Sequence, residues 1–120
     1  MTVLADFQTI IGDQAQRVEP GDVRQLGIAF DTGGRRTSDG ELGGDAAFLL
    51  FTVTELFQTV DVFVNGAGPV GTIQPSQDVW STQVIAMAGS RLNSGQNRIT
   101  VRTTDPFWIK DLICFYHQDS

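Results

Sequence analysis

Apolar and polar residues alternate with a period of two along most of this chain. In the stretch 98–104, for example, Ile99 and Val101 alternate with charged or hydroxyl-bearing residues. No segment keeps the three-and-four spacing of an amphipathic helix over about eleven residues. Because a period of two places one side of a strand in the core and the other in water, the pattern predicts strands throughout.

Eight strands are predicted, separated by turns rich in glycine, proline and asparagine. They cover residues 3–11, 23–30, 46–54, 60–65, 70–74, 80–88, 98–104 and 107–117. In the second strand, Leu26, Ile28 and Phe30 are expected on one buried side. The third strand is nearly all apolar, so we expect it to be central and buried on both faces. Without helical crossovers, these strands predict one all-β domain over residues 1–120, an antiparallel β-sandwich of the jelly-roll kind.

Size and charge narrow the class of protein. A chain of 120 residues and 13.1 kDa is long enough to bury a core without disulfides. Fourteen acids against eight basic residues leave a net charge of −6, which repels phosphate backbones, so no nucleic-acid partner is expected. The longest apolar run, 46–51, is too short to cross a membrane, and the amino terminus carries no export signal. These features predict a soluble cytoplasmic protein.

The segment 31–45 is a long loop with five glycines. Its adjacent arginines, Arg35 and Arg36, are candidates for ligand binding. Its acids are candidates for calcium binding, because calcium takes oxygen ligands from flexible loops. The acids considered are Asp39, Glu41 and Asp45, with Asp31 at the start of the loop. No EF-hand pattern is present, and a glycine-rich solvated loop without metal is the alternative.

Gly66, Gly68 and Gly71 match the glycine pattern of dinucleotide-binding sites and follow a predicted strand. A true site needs a helix at this point, whose amino terminus meets the pyrophosphate. Pro69 and the stretch 70–75 instead indicate a turn and a strand. The glycines therefore predict a β-hairpin and no nucleotide cofactor.

Residues for catalysis or transition-metal binding are scarce. His117 is the single histidine and lies close to the carboxyl terminus, and Cys114 is the single cysteine. Cys114 lies in an apolar run and is expected to be a small buried residue. Fourteen acids allow many carboxylate pairs, but strand acids such as Asp61 and Asp111 usually face solvent. We therefore expect a protein that is not an enzyme and that has no cofactor apart from the calcium alternative.

Aromatic residues are the best candidates for ligand contact, since an aromatic face matches the C–H face of a sugar ring. Trp80, Trp108 and Tyr116 are the residues most suited to this contact. If the strands alternate in direction, the loop 31–45, the turn 66–69 and the connection 89–97 share one end of the sandwich. The ligand-binding residues predicted from these arguments are Arg35, Arg36, Asn65, Trp80 and Trp108.

Two stretches together resemble the galactose-binding-like jelly-roll domains, including the accessory sugar-binding domains of β-galactosidases and β-glucuronidases. The first consists of Val62, Phe63, Val64, Asn65 and Gly66, followed by Val70 and Gly71. The second consists of Leu92, Gly95, Asn97, Ile99 and Val101. The resemblance covers residues 48–104 and lies in turn and core residues, so it implies the fold more directly than a ligand.

Two hypotheses about function follow. The first is a non-catalytic, lectin-like module that binds a saccharide with the loops at one end of the sandwich. The alternative is a structural subunit of a homo-oligomeric or phage- or virus-like assembly, since jelly rolls also build such particles. A defined oligomer in solution favours the second hypothesis and is not required by the first.

Overall fold

The computed structural model of the protein describes residues 3–33, 37–38 and 47–119, and these residues are almost entirely extended. The strands are β1 (Val3–Ile11), β2 (Gln16–Val18), β3 (Gly21–Gln25), β4 (Phe30–Asp31), β5 (Thr37–Ser38), β6 (Ala47–Thr54), β7 (Val60–Val64), β8 (Ala67–Ile73), β9 (Ser81–Met87), β10 (Gln96–Asn97), β11 (Ile99–Thr103) and β12 (Phe107–Asp119). A single 3-10 turn, Gly89–Arg91, is the helical element of the described part. No described helix is long and apolar enough to cross a membrane.

Two antiparallel sheets carry the fold. The first sheet has the order β1-β12-β6-β9, with β2 and β5 also pairing with β12. The second sheet has the order β3-β11-β7-β8, and β4 and β10 form a small separate ribbon. The buried apolar residues of both sheets form one core. The predicted all-β sandwich is therefore confirmed. Of the eight predicted strands, four correspond to β1, β12, β6 and β9 in the first sheet, and four correspond to β3, β11, β7 and β8 in the second sheet.

The second predicted strand is wrong in its detail. Gly27 has a φ of 64°, a left-handed conformation that ends the extended strand between β3 and β4. Leu26 and Phe30 are buried as expected, but Ile28 is 64% exposed. Because the strand breaks at Gly27, the period-two pattern does not continue across it.

The third predicted strand, β6, is central, since it lies between β12 and β9. The expectation that both of its faces are buried is wrong. Ala47, Leu49, Phe51 and Val53 are buried. On the opposite face, Phe48 is 37% exposed and Leu50 and Thr52 are half-buried, and only Thr54 at the end of the strand is buried. An apolar outer face therefore lies on a sheet that no further layer covers in the described part of the chain.

The last strand changes phase at a β-bulge. Phe107 and Ile109 point into the core before the bulge, and Leu112 and Cys114 do so after it. Asp111 occupies the bulge with a φ of 54°, and its backbone N–H donates to the Gly12 carbonyl at 2.8 Å.

Burial raises the pKa of the Cys114 thiol to about 12, and its role as a small buried residue is confirmed.

The glycine pattern rejected above lies in the β7–β8 hairpin, as predicted. Asn65 and Gly66 occupy its turn with φ values of 53° and 78°. Gly71 lies where the two sheets approach each other. A Cβ atom at this position would lie 2.6 Å from Cγ2 of Ile85 in the opposite sheet, which explains the glycine without a phosphate.

Candidate functional site

The described parts of the three predicted loops meet at one end of the sandwich, as expected from alternating strands. The Thr32 hydroxyl donates to the Asn93 carbonyl at 2.8 Å, which ties the first loop to the connection before β11. The Asn65 amide donates to the Arg91 carbonyl at 3.2 Å, which ties the hairpin turn to the same connection. We call this region the loop end.

Asn65 was predicted to bind a ligand, but both polar atoms of its side chain form hydrogen bonds within the protein. Its amide nitrogen also donates to Oδ1 of Asn97 at 2.8 Å, and its oxygen accepts the Arg98 backbone N–H at 3.0 Å. Asn97 is 1% exposed and holds the connection in place in turn. The contacts of Asn65 are those of a residue that shapes the loop end.

Trp80 and Trp108 lie together at the opposite end, on the outer face of the first sheet. Trp108 in β12 pairs with Thr54 in β6, and Trp80 immediately precedes β9, the strand on the other side of β6. Neighbouring strands are about 4.8 Å apart, so the two backbones are separated by roughly 10 Å. The structure therefore brings the two predicted tryptophans together and separates them from Asn65.

Trp80 is 46% exposed, and the ammonium of Lys110 lies 4.3 Å from the centroid of its ring. Lys110 follows Trp108 by two residues in β12, so both side chains lie on the outer face. Beside Lys110, on β6 and β9, the hydroxyls of Thr52 and Thr82 are hydrogen-bonded to each other at 2.9 Å. We call these five residues the tryptophan site.

A shallow groove adjoins the tryptophan site. The Arg17 guanidinium lies 5.3 Å from the centroid of the Trp108 ring and 3.2 Å from a carboxylate oxygen of Glu55. Arg17 and Glu55 also line a groove of about 360 Å³, together with Phe57, Asp78, Asp105 and Pro106. Arg17 therefore shields one side of Trp108, which is half-buried, whereas Trp80 is exposed.

The other half of the outer face of the first sheet carries phenylalanine side chains. The Phe115 ring lies 4.7 Å from the Phe48 ring in a stacked arrangement and 5.9 Å from the Phe7 ring. Phe7 is 56% exposed, and the nearby Val84 is 58% exposed. We call Phe7, Phe48 and Phe115 the phenylalanine cluster.

The remaining sequence predictions have mixed outcomes. Arg35, Arg36, Asp39, Glu41 and Asp45 lie outside the described residues. The carboxylate of Asp31 accepts the Gly33 backbone N–H at 2.6 Å, and the described residues contain no cluster of three metal-ligating side chains. Tyr116 is 1% exposed, so its suggested stacking role is wrong.

Sequence reasoning missed Lys110 and Arg17. Lys110 left a signal, because it is the only lysine and lies two residues after Trp108 in a predicted strand, and so on the same face. Arg17 left none, since its pairing with Glu55 joins residues that are 38 positions apart. Only the packing of β2 beside β12 brings Arg17 to Trp108.

Comparisons with known proteins support the fold. No protein-family model matches the sequence, and no significant relative was found among curated proteins. Among solved structures, the chain is similar to a family 29 carbohydrate-binding module from Piromyces equi. The match has a TM-score of 0.51 and 14% sequence identity, and it covers 97% of this chain and 92% of that module. A similarity at this identity shows a shared β-sandwich fold and nothing further.

Proposed function

We propose that this protein is a non-catalytic binding module that recognises saccharides at the tryptophan site. The observation that carries the proposal is the exposed ring of Trp80, with a lysine ammonium over it, on the outer face of a sheet. The similarity in fold to a carbohydrate-binding module supports the same conclusion.

The chemistry of the tryptophan site suits a sugar. An indole face packs against the C–H face of a pyranose, whose hydroxyl groups point outward from the ring edge. Lys110 carries three N–H donors, and Thr52 and Thr82 carry hydroxyls that both donate and accept. These polar groups border the apolar ring on the same face, so one ligand can contact both.

Lys110 has a second role in the proposed mode of binding. In the free protein its ammonium covers the Trp80 ring. A sugar ring stacking on Trp80 takes that position, and the flexible lysine side chain moves aside to donate hydrogen bonds to hydroxyl groups. Because the lysine exchanges one favourable contact for another, the indole stays covered in both states.

The acidic residues near the tryptophan site agree with a role in binding without catalysis. Of the three carboxylates in the adjoining groove, Glu55 is paired with Arg17. Asp78 is exposed, as is usual for a surface acid, and Asp105 is half-buried. A glycosidase needs two carboxylates placed on either side of a scissile bond, one of them protonated, and this arrangement of acids does not favour that assignment.

The test is affinity electrophoresis against a panel of neutral polysaccharides, followed by calorimetry with oligosaccharides of any that retard the protein. Trp80→Ala is expected to weaken binding by about 2 kcal/mol, roughly thirtyfold, because it removes the central aromatic contact. The matched control is Ile28→Ala, which removes an apolar side chain that is 64% exposed elsewhere on the surface.

Two results would contradict the proposal. One is the absence of saturable binding to every polysaccharide of the panel at millimolar sugar concentrations. The other is equal loss of binding in Trp80→Ala and Ile28→Ala, which would mean that the ring itself makes no contact. Thermal unfolding of both variants establishes that each is folded.

The phenylalanine cluster favours a second candidate function, a structural subunit that assembles with copies of itself. Exposed aromatic residues that adjoin one another often mark protein interfaces. Light scattering at increasing concentration is expected to show a defined oligomer in this case, and Phe7→Ser is expected to dissociate it. A monomer at all concentrations contradicts this second candidate and leaves the saccharide proposal standing.

A further inference from the structure

A second groove lies on the outer face of the second sheet, on the opposite side of the sandwich from the tryptophan site. It encloses about 580 Å³, within the range of ligand-binding sites in proteins. Its lining includes Asp22, Val23, Phe63, Asn93, Arg98 and Thr100. We call it the second-sheet groove.

An apolar floor runs along this groove. Phe63 in β7 is half-buried and pairs directly with Thr100 in β11, while Val23 in the edge strand β3 is 71% exposed. The guanidinium of Arg102 lies 5.7 Å from the Phe63 centroid and is itself held by Asp61 at 2.8 Å. These contacts hold the aromatic ring in place while the valine offers an uncovered apolar surface.

Two opposite charges line the groove without neutralising each other. Among the described residues, neither the Arg98 guanidinium nor the Asp22 carboxylate makes an ion pair or a side-chain hydrogen bond. The backbone of Arg98 is nevertheless anchored, because it exchanges two hydrogen bonds of 3.0 Å with Asn65. An anchored arginine with a free guanidinium is suited to bind a carboxylate through two parallel hydrogen bonds.

We propose that the second-sheet groove binds a sugar that carries a carboxylate, a uronate unit of an acidic saccharide. Arg98 binds the carboxylate, and the Asp22 carboxylate accepts a hydrogen bond from a sugar hydroxyl. Phe63 and Val23 contact the C–H face of the ring. This site shares no residue with the tryptophan site and does not depend on the function proposed there.

Charge makes the proposal specific. The protein as a whole carries a net charge of −6 and repels polyanions. Attraction to an acidic saccharide must therefore come from a local contact, and Arg98 supplies it. Binding is expected to weaken as the salt concentration rises, because the contact lies at the surface.

The test uses the full chain labelled with ¹⁵N and titrated with trigalacturonate, with its fully methyl-esterified form as the uncharged control. The acid is expected to shift amide resonances of residues around Val23, Phe63 and Thr100, with saturation at millimolar concentration. The ester is expected to bind at least tenfold more weakly, because it cannot form the charged hydrogen bonds. Equal binding of acid and ester, or no shift in these strands, overturns the proposal.

Variants separate the two sites. Arg98→Gln is expected to weaken trigalacturonate binding about tenfold or more, and Val23→Ser to weaken it less. The matched control is Arg91→Gln, which removes the same charge from an exposed residue that does not line the groove. Trp80→Ala is expected to leave trigalacturonate binding unchanged. Equal effects of Arg98→Gln and Arg91→Gln would show that only overall charge matters, and equal binding of free glutamate would show that the sugar is not recognised.

Discussion

Replacing Asn97 by aspartate tests the network at the loop end by changing one atom. The Asn97 amide nitrogen donates to the carbonyls of Asn93 at 3.1 Å and Gly95 at 2.9 Å. Its oxygen accepts the Asn93 backbone N–H at 2.7 Å and the Asn65 amide at 2.8 Å. Aspartate keeps the shape and the accepting side but places an oxygen against two carbonyl oxygens.

The expected cost follows from these four contacts. Two hydrogen bonds are lost at about 1 kcal/mol each, while the Asn93 and Gly95 carbonyls keep their hydrogen bonds from Thr32. The new carboxylate oxygen is buried without a donor, which costs about 1–3 kcal/mol more. The side chain is 1% exposed, so water cannot replace the missing donor. We expect Asn97→Asp to lower the free energy of unfolding by about 3–5 kcal/mol, a large part of the roughly 5–15 kcal/mol typical of a domain.

Urea denaturation followed by tryptophan fluorescence measures the change as a shift of the midpoint. The matched control is Asn93→Asp, which introduces the same charge at an exposed neighbour whose amide makes a single longer hydrogen bond of 3.3 Å. The control is expected to change stability by about 0.5 kcal/mol or less. Similar effects of the two substitutions, or a cost below about 1 kcal/mol for Asn97→Asp, would refute this account of the network.

Three further predictions concern the core and the bulge. Gly71→Ala is expected to destabilise by about 1–3 kcal/mol through contact with Ile85, and a smaller cost in an Ile85→Ala background, measured by a urea double-mutant cycle, would identify that contact. Cys114 is expected to resist alkylation in the native state; because burial raises its pKa from 9.0 to about 12, its contribution to stability is complete below pH 9 and lost as the pH rises toward 12. Equal alkylation rates with and without urea would contradict this. Asp111→Gly should preserve the thermal midpoint, whereas Asp111→Val should lower stability by about 1–2 kcal/mol because valine disfavours the positive φ.

Much of the fold follows from the sequence because alternation is a local property. Ile99 and Val101 are buried as their spacing predicts, and Asn65 with Gly66 forms the expected hairpin turn. Each of these outcomes depends on residues close together in the chain. A turn needs residues that accept a positive φ, and a half-buried strand needs apolar residues at every second position.

Errors arose where the local pattern carried no information. An apolar run such as β6 has the same sequence whether its second face is covered by another layer or open to solvent, so the exposure of Phe48 was not predictable. The bulge at Asp111 changes which residues of β12 face the core, and the break at Gly27 exposes Ile28. At Gly27 and Asp111 a single backbone conformation shifts the pattern for the residues that follow.

The sequence by itself determined that the chain forms strands and where most of them lie. Only the tertiary structure decided that Trp80 and Trp108 lie side by side while Asn65 lies at the other end, and that Arg17 covers Trp108. Strand order is the physical reason. Residues on β9 and β12 become neighbours because both pair with β6, and such pairing between distant segments depends on packing over the whole core.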